Sequence, residues 1–313
     1  MSERDMNTLM DLVEKHLGNE WTAVIDWLRD HNSLDEIEAR LSSGDTRGVL
    51  QAIDEAALKF AAETHAVYVH AAQTESSWLN GRLSDSLVRF DTNNRAAIEA
   101  AQQNQVEWVT GMREETREVV HQAIIGGHER GANPREVARD IRDSIGLTGN
   151  QASAVRSYRD ALEAQDWSNA LGRQLSSGHS DRTIASARDA DRALTQAQID
   201  LAVERYRQGH VAARAETIAR TEMLKNVHAG VAGAIDQAIS RGDVDADQLE
   251  KTWHHALRGR HSRPDHEAID SKSVGYGETF DVGGEPMLYP GDPSASVGQL
   301  VNCRCTVSHR IVA

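Results

Sequence analysis

Residues 251–293 read KTWHHALRGRHSRPDHEAIDSKSVGYGETFDVGGEPMLYPGDP, and their punctuation separates two kinds of chain. Four of the five prolines, Pro264, Pro286, Pro290 and Pro293, lie beyond residue 260, and Gly275, Gly277, Gly283, Gly284 and Gly291 crowd the same stretch. Proline fixes φ and removes a backbone donor, and glycine weakens regular elements, so short strands and turns are expected here. Residues 1 to about 240 carry a single proline, Pro134. The expected fold class is therefore mainly α with a small α+β carboxy-terminal domain: an extended helical body followed by a compact strand- and turn-rich domain. The expected divisions are a helical amino-terminal region over 1–140, a second helical part over 141–240 and a β-containing domain over 241–313.

The helical body marks its own helix starts. Ser33-Leu-Asp-Glu36, Thr148-Gly-Asn-Gln151 and Thr195-Gln-Ala-Gln198 fit the capping box, in which residues three apart satisfy each other's backbone N–H groups. Asn133-Pro-Arg-Glu136 places a cap residue before a proline at the first helical position. From Ser84 to Ile125 the apolar residues Leu87, Phe90, Ile98, Val106, Val109, Met112, Val120 and Ile124 recur at steps near three and four up to Gly126-Gly127. That spacing predicts a long amphipathic helix with one buried stripe, of the kind that bridges parts of an assembly. Shorter helices are expected from Pro134 to Ile145, around Ala152, Val155, Tyr158 and Leu162, and around Ile199, Val203 and Tyr206. Residues 166–193 read as a loop with a short helix, and a separate last helix is expected from about Ala212 to Ile235.

The 313 residues carry a net charge of -14. Residues 1–50 hold eleven acidic and five basic side chains, whereas in 251–313 seven of each cancel. An acidic surface repels phosphate, so a broad non-specific grip on nucleic acid is disfavoured and a basic protein surface is the more natural partner. No run of eighteen apolar residues and no basic, apolar leader is found, so the expectation is a cytoplasmic product with no membrane partner.

Both cysteines of the chain lie in residues 299–309, QLVNCRCTVSH. If Val301 to Val307 is a strand, Cys303 and Cys305 share one face, because side chains alternate with period two. Residues two apart on a strand have Cα atoms about 6.6 Å apart, which is poor for a disulfide. Two readings then stand open: two reduced thiols packed as small apolar groups, or half of a tetrahedral Zn2+ site completed by imidazole. His254, His255, His261 and His266 lie at the other end of the domain, and His266 is the expected third ligand. The fourth candidate is His261 or Asp270, with Asp270 alternatively orienting His266 from behind. His309 would lie about 13 Å along a continuing strand from Cys305 and is set aside.

Taken together, RAETIARTEMLKNVHAG (214–230), Trp253 followed by Arg263-Pro-Asp-His266 and Asp270, then YPGDP (289–293) and NCRC (302–305) resemble the phage head morphogenesis family of Mu F-like minor head proteins. IGLTGNQASAVRSY (145–158) is similar to the helical hairpin that precedes that domain. The likeness covers about half the chain and leaves residues 1 to about 140 aside. It departs at Leu257-Arg-Gly-Arg260, ahead of which an acidic residue is often found, and at Ser271, where glycine usually follows Asp270. The resemblance implies a structural minor component of a tailed-phage head. Such a protein is associated in several copies with the portal protein and with the major capsid or scaffolding protein. It contacts packaged DNA in some settings and in some cases is carried with DNA into the host. Its expected location is the virion, reached through the host cytoplasm during assembly.

The competing class is an enzyme, either a zinc-dependent nuclease or a deaminase. A zinc deaminase needs His-x-Glu and Pro-Cys-x-x-Cys, and neither occurs. His266-Glu267 keeps a nuclease conceivable, but no Lys/Arg stripe would hold a phosphate backbone, and neither a Walker loop nor a Gly-x-Ser-x-Gly elbow is present. A toxin domain of the sort sometimes fused to Mu F-like regions would need further chain after the cysteines, where only eight residues follow. The expectation is a protein without catalytic turnover.

Overall fold

The structure, a computed structural model, describes residues 1–45, 52–83, 87–256 and 262–312. It is mainly helical, with a small carboxy-terminal region of two sheets. The helices are α1 (Glu3–Asp30), α2 (Leu34–Ser42), α3 (Ile53–Asn80), α4 (Arg95–Arg130), α5 (Pro134–Ser144), α6 (Gly149–Glu163), α7 (Trp167–Ala170), α8 (Gly178–Asp189) and α9 (Gln196–Arg241). After α9 come β1 (Leu249–His254), α10 (Pro264–Glu267), β2 (Ser273–Gly275), β3 (Phe280–Val282), β4 (Glu285–Met287), α11 (Val297–Leu300) and β5 (Thr306–Ile311). All four expected starts form capping boxes: Ser33 with Glu36, Asn133 with Glu136, Thr148 with Gln151, and Thr195 with Gln198.

Several boundaries differ from the sequence reading. The long amphipathic helix runs over Arg95–Arg130, and residues 87–94 precede it without helical structure; the expected start at Ser84 lies outside the described residues. Its apolar stripe is also different. Leu87, Ile98 and Val106 are exposed, while Ala97, Asn104, Met112, Val119, Val120 and Ala123 are buried. Small and polar side chains do the packing at its start: Asn104 donates to the Ala61 carbonyl at 3.1 Å and to Thr64 Oγ1 at 2.7 Å. The helices expected around Ile199 and from Ala212 are one continuous α9, and residues 166–193 hold two helices, of which α8 is twelve residues long. Gly127, which read as a stop, sits inside α4, and Gly209 sits inside α9. A methyl group there would meet Val137 Cγ2 at 2.5 Å or the Leu175 carbonyl oxygen at 2.8 Å. These glycines serve close approach of neighbouring segments at a helix-propensity cost of about 1 kcal/mol each.

The chain divides into two compact units. In the unit formed by 22–59 and 107–215, Ile37, Val120, Ala123, Ala138 and Ile141 make a buried cluster, flanked by Leu34, Leu41, Ile124 and Val137. Burial of such side chains contributes about 1.5–3 kcal/mol each for the larger ones. Arg159 is nearly buried and donates to Asp200 at 2.7 Å and to Asp143 at 3.0 Å, so its charge is not left unpaired.

The other unit comprises 1–21, 60–106 and 216–313. Trp21 meets Phe60 edge-on at 5.2 Å. Gln237 of α9 both donates to the Asp91 carbonyl and accepts from the Asp91 N–H, which ties down the stretch before α4. One sheet has the order β2-β1-β5, all antiparallel, with Trp253 opposite Val307 and Lys251 opposite His309. Leu249, Lys251 and Trp253 point to the buried face and Glu250, Thr252 and His254 to the other. β3 and β4 form a separate hairpin whose two turn residues, Gly283 and Gly284, both have positive φ, as a type I′ turn demands.

Helix α9 approaches α3 most closely at Gly230, where an added Cβ would lie 2.2 Å from the Tyr68 carbonyl oxygen. Gly230→Ala should therefore destabilise the chain by about 1–3 kcal/mol through overpacking. Gly111→Ala, in the open on α4, should stabilise it by about 1 kcal/mol. Denaturant midpoints of the two variants moving in the same direction would contradict this assignment.

Candidate metal centre

His266, Cys303 and Cys305 come together as the sequence reading expects, but not by the expected route. Strand β5 begins only at Thr306, so neither cysteine lies on a strand. The chain turns instead at Asn302, whose φ is +60°, with the Cys303 N–H donating to the Leu300 carbonyl at 3.2 Å. Asparagine is among the few side chains that visit the left-handed region readily. Cys303 Sγ then accepts from the Cys305 N–H at 3.4 Å. A tight turn, rather than a pleat, brings the two sulfurs to one place.

His266 stands on α10, which opens with Pro264 at the first turn. Arg263, just before it, donates through Nε to the Gly298 carbonyl at 2.7 Å and through its terminal nitrogen to the Val301 carbonyl at 2.6 Å. These bonds clamp the His266 turn to the segment that leads into the cysteines. The His266 ring meets Trp253 edge-on at 5.5 Å, and Trp253 in turn meets Phe280 at 5.3 Å. His266, Cys303 and Cys305 are 1%, 3% and 3% exposed.

The ligand atoms of these three residues all lie within 4.8 Å of one another and can hold a metal ion. His266 Nδ1 is 3.4 Å from Cys305 Sγ and 3.5 Å from Cys303 Sγ. In a tetrahedral zinc site, with Zn–S near 2.3 Å and Zn–N near 2.0–2.1 Å, the N···S separation is about 3.6 Å. The donor set thus already has the spacing of a shared ion. Two thiolates, a neutral imidazole and a divalent cation also sum to zero charge, which suits a buried place. The hydrogen bond from Cys305 draws the Cys303 thiol below its ordinary range, with the Arg263 charge and the Arg304 N–H helping against burial. The same contact, with burial, pushes Cys305 up.

The other candidates are placed elsewhere. Asp270 accepts the His255 N–H at 2.7 Å, so it fixes the end of β1. His261 lies outside the described residues, as does the Leu257–Arg260 stretch where the likeness departs. His254 Nε2 meets Ser308 Oγ at 2.7 Å, and His255 Nε2 meets Ser262 Oγ at 2.9 Å. His309 is buried within the unit on β5. The partner of His266 Nε2 is Gln299 Oε1, at 2.8 Å. Sequence reasoning missed this residue because any acceptor can support a histidine ligand and no spacing rule singles one out.

The remaining motifs line one face of α9. Arg220 donates to Asn302 Oδ1 at 2.9 Å, and Thr221 Oγ1 accepts the Asn302 N–H at 3.3 Å. Gly291 of YPGDP has φ +88°, and a Cβ there would lie 3.1 Å from the backbone of Leu224 and Lys225. Asp292 accepts from the N–H groups of Leu288 and Ser294 at 2.7 and 2.9 Å, which shapes that loop. Tyr289 stacks on His228 with the rings 9° from parallel. His228 Nε2 accepts the Val307 N–H at 3.3 Å while Nδ1 faces the Leu224 carbonyl at 2.9 Å. Ser271, where the likeness usually has glycine, has φ +60°.

Burial holds His228 down to about 4 and pushes His309 well below its ordinary range. Both side chains take up a proton near pH 6.5 when unfolded but stay neutral in the fold. Their contribution is therefore fully present above about pH 6.5 and is lost as pH falls from there toward 4, by a few kcal/mol. Unfolding midpoints at pH 7.5 and 5.0 should show this loss, and His228→Gln should shrink it; an unchanged acid slope in that variant would remove His228 from the account. Ser271→Gly should raise the midpoint, by about 1–2 kcal/mol of relieved left-handed strain.

Comparison with protein-family models, curated proteins and solved structures finds no match to this chain, so a functional reading rests on the residues themselves.

Proposed function

We propose that the chain is a structural minor head protein of a tailed phage, acting with the portal and capsid during head assembly, and that His266, Cys303 and Cys305 hold a structural Zn2+. The observation that carries the reading is the convergence of the dispersed motifs. RAETIARTEMLKNVHAG, YPGDP and NCRC are unremarkable one by one, yet Arg220, Thr221, Leu224 and His228 of the first meet Gly291, Asn302 and Val307 at a single interface. The His266 turn meets NCRC through the cluster of donors. A set of segments that resembles one family and also packs as one body supports taking the likeness as a whole.

A structural role for the ion follows from its burial. Three ligands at most 3% exposed offer little access for a phosphodiester; a structural zinc takes four protein ligands, so the reading requires a fourth donor beside His266, Cys303 and Cys305. A bound ion would add a cross-link between the His266 turn and the turn at Asn302. The acidic balance of residues 1–50 agrees with docking on basic protein surfaces more than on DNA.

Mass spectrometry of purified particles should find the protein in several copies per head, and particles made without it should be defective or poorly infectious. Normal assembly and infectivity in its absence, or DNA cleavage whose rate depends on Cys303 and His266, would overturn the assembly role. Untagged protein should carry close to one equivalent of zinc by elemental analysis. Chelation or Cys303→Ser should loosen residues 250–312 while helical circular dichroism persists. Protein that is fully folded and free of zinc would leave the thiols as packing groups.

A further inference from the structure

We infer that Gln299 is a positioning residue for the metal centre: it fixes His266 with its proton on Nε2, which leaves the bare Nδ1 as the ligand aimed at the two sulfurs. The inference rests on the metal reading above and adds which nitrogen binds and what makes it so.

The orientation of the Gln299 amide decides the matter. Its nitrogen faces an acceptor, the Val282 carbonyl at 3.5 Å. An NH2 group facing an acceptor leaves the amide oxygen on the opposite side, and that oxygen lies 2.8 Å from His266 Nε2. A carbonyl oxygen can only accept, so Nε2 carries the hydrogen. Nδ1 of a neutral ring is then unprotonated, and it is the atom 3.4 and 3.5 Å from the sulfurs. Gln299 is 9% exposed, so bulk water does not replace it. A histidine ligand whose second nitrogen donates to a fixed acceptor is oriented before the ion arrives, and removal of such a partner costs 10–100-fold in metal affinity.

The test uses the full-length chain without a metal-binding tag, stripped of metal and titrated with Zn2+ against a chromophoric chelator, with Co2+ spectra as a second probe. Gln299→Met keeps volume but removes the acceptor, and it should weaken Zn2+ binding about 10–100-fold. Gln299→Glu keeps an acceptor at the same place and should retain the affinity. Nitrogen NMR of the zinc-loaded wild-type protein should show His266 ligated through Nδ1 with hydrogen on Nε2. Wild-type affinity in Gln299→Met, or ligation through Nε2, overturns the role of Gln299 and leaves the metal site standing. If the wild-type chain takes up neither ion, the metal reading fails and this inference falls with it. Should Gln299→Met fail to fold, Gln299→Glu and the wild-type NMR spectrum decide.

Discussion

The outer edge of the carboxy-terminal sheet is closed by hydrogen bonds that are not part of any ladder, one from the Val307 N–H to His228 and one from the His309 N–H to the Met1 carbonyl. β5 is an edge strand, and an edge presents N–H groups that must find partners or invite another chain. The outward N–H of Val307 is satisfied by Nε2 of His228, a side chain of α9. For that the ring must be neutral with its other nitrogen as donor, and the Leu224 carbonyl supplies the acceptor. A hydrophobic residue at 228 would pack, but it would leave a buried N–H unpaired at a cost of about 1–3 kcal/mol. Holding β5 against α9 also sets the place of the turn before it, since Asn302 is bonded to Arg220 and Thr221, both about two helical turns before His228.

From that constraint the donor cluster follows. With Asn302 fixed on α9 and Thr306 fixed in the sheet, Cys303 and Cys305 have only the intervening turn in which to lie. His266 reaches them because β1 runs beside β5, because Trp253 at the centre of the sheet backs its ring, and because Arg263 grips the carbonyls of Gly298 and Val301. Each support comes from a different segment. The three donors are thus placed by packing and backbone hydrogen bonds from separate segments, to which a bound ion would add a further tie.

Much of this was legible from residue chemistry. Capping pairs are local, so Ser33, Asn133, Thr148 and Thr195 announced helix starts that the fold keeps. The crowding of proline and glycine after residue 260 marked the strand-containing region, and the choice of His266 with Cys303 and Cys305 matched the cluster. Errors arose where a local signal had a non-local purpose. Gly127 looked like a helix end but makes room for Val137. Ile98 and Val106 looked like a buried stripe, yet Ala97 and Asn104 take the buried positions because the neighbouring helix comes too close for larger groups or offers Thr64 as a partner.

The sequence by itself determined that the chain is mainly helical, where four of its helices start, and which side chains are soft enough to bind a metal, because propensity, capping and ligand chemistry are properties of a residue and its near neighbours. Only the tertiary structure decided that Asn302 turns left-handed to aim both sulfurs, that Gln299 rather than Asp270 meets His266, and that His228 closes the sheet edge. Those assignments join residues 33 to 82 positions apart. Contacts at such separation depend on how whole segments pack, and a pairwise spacing rule carries no information about that.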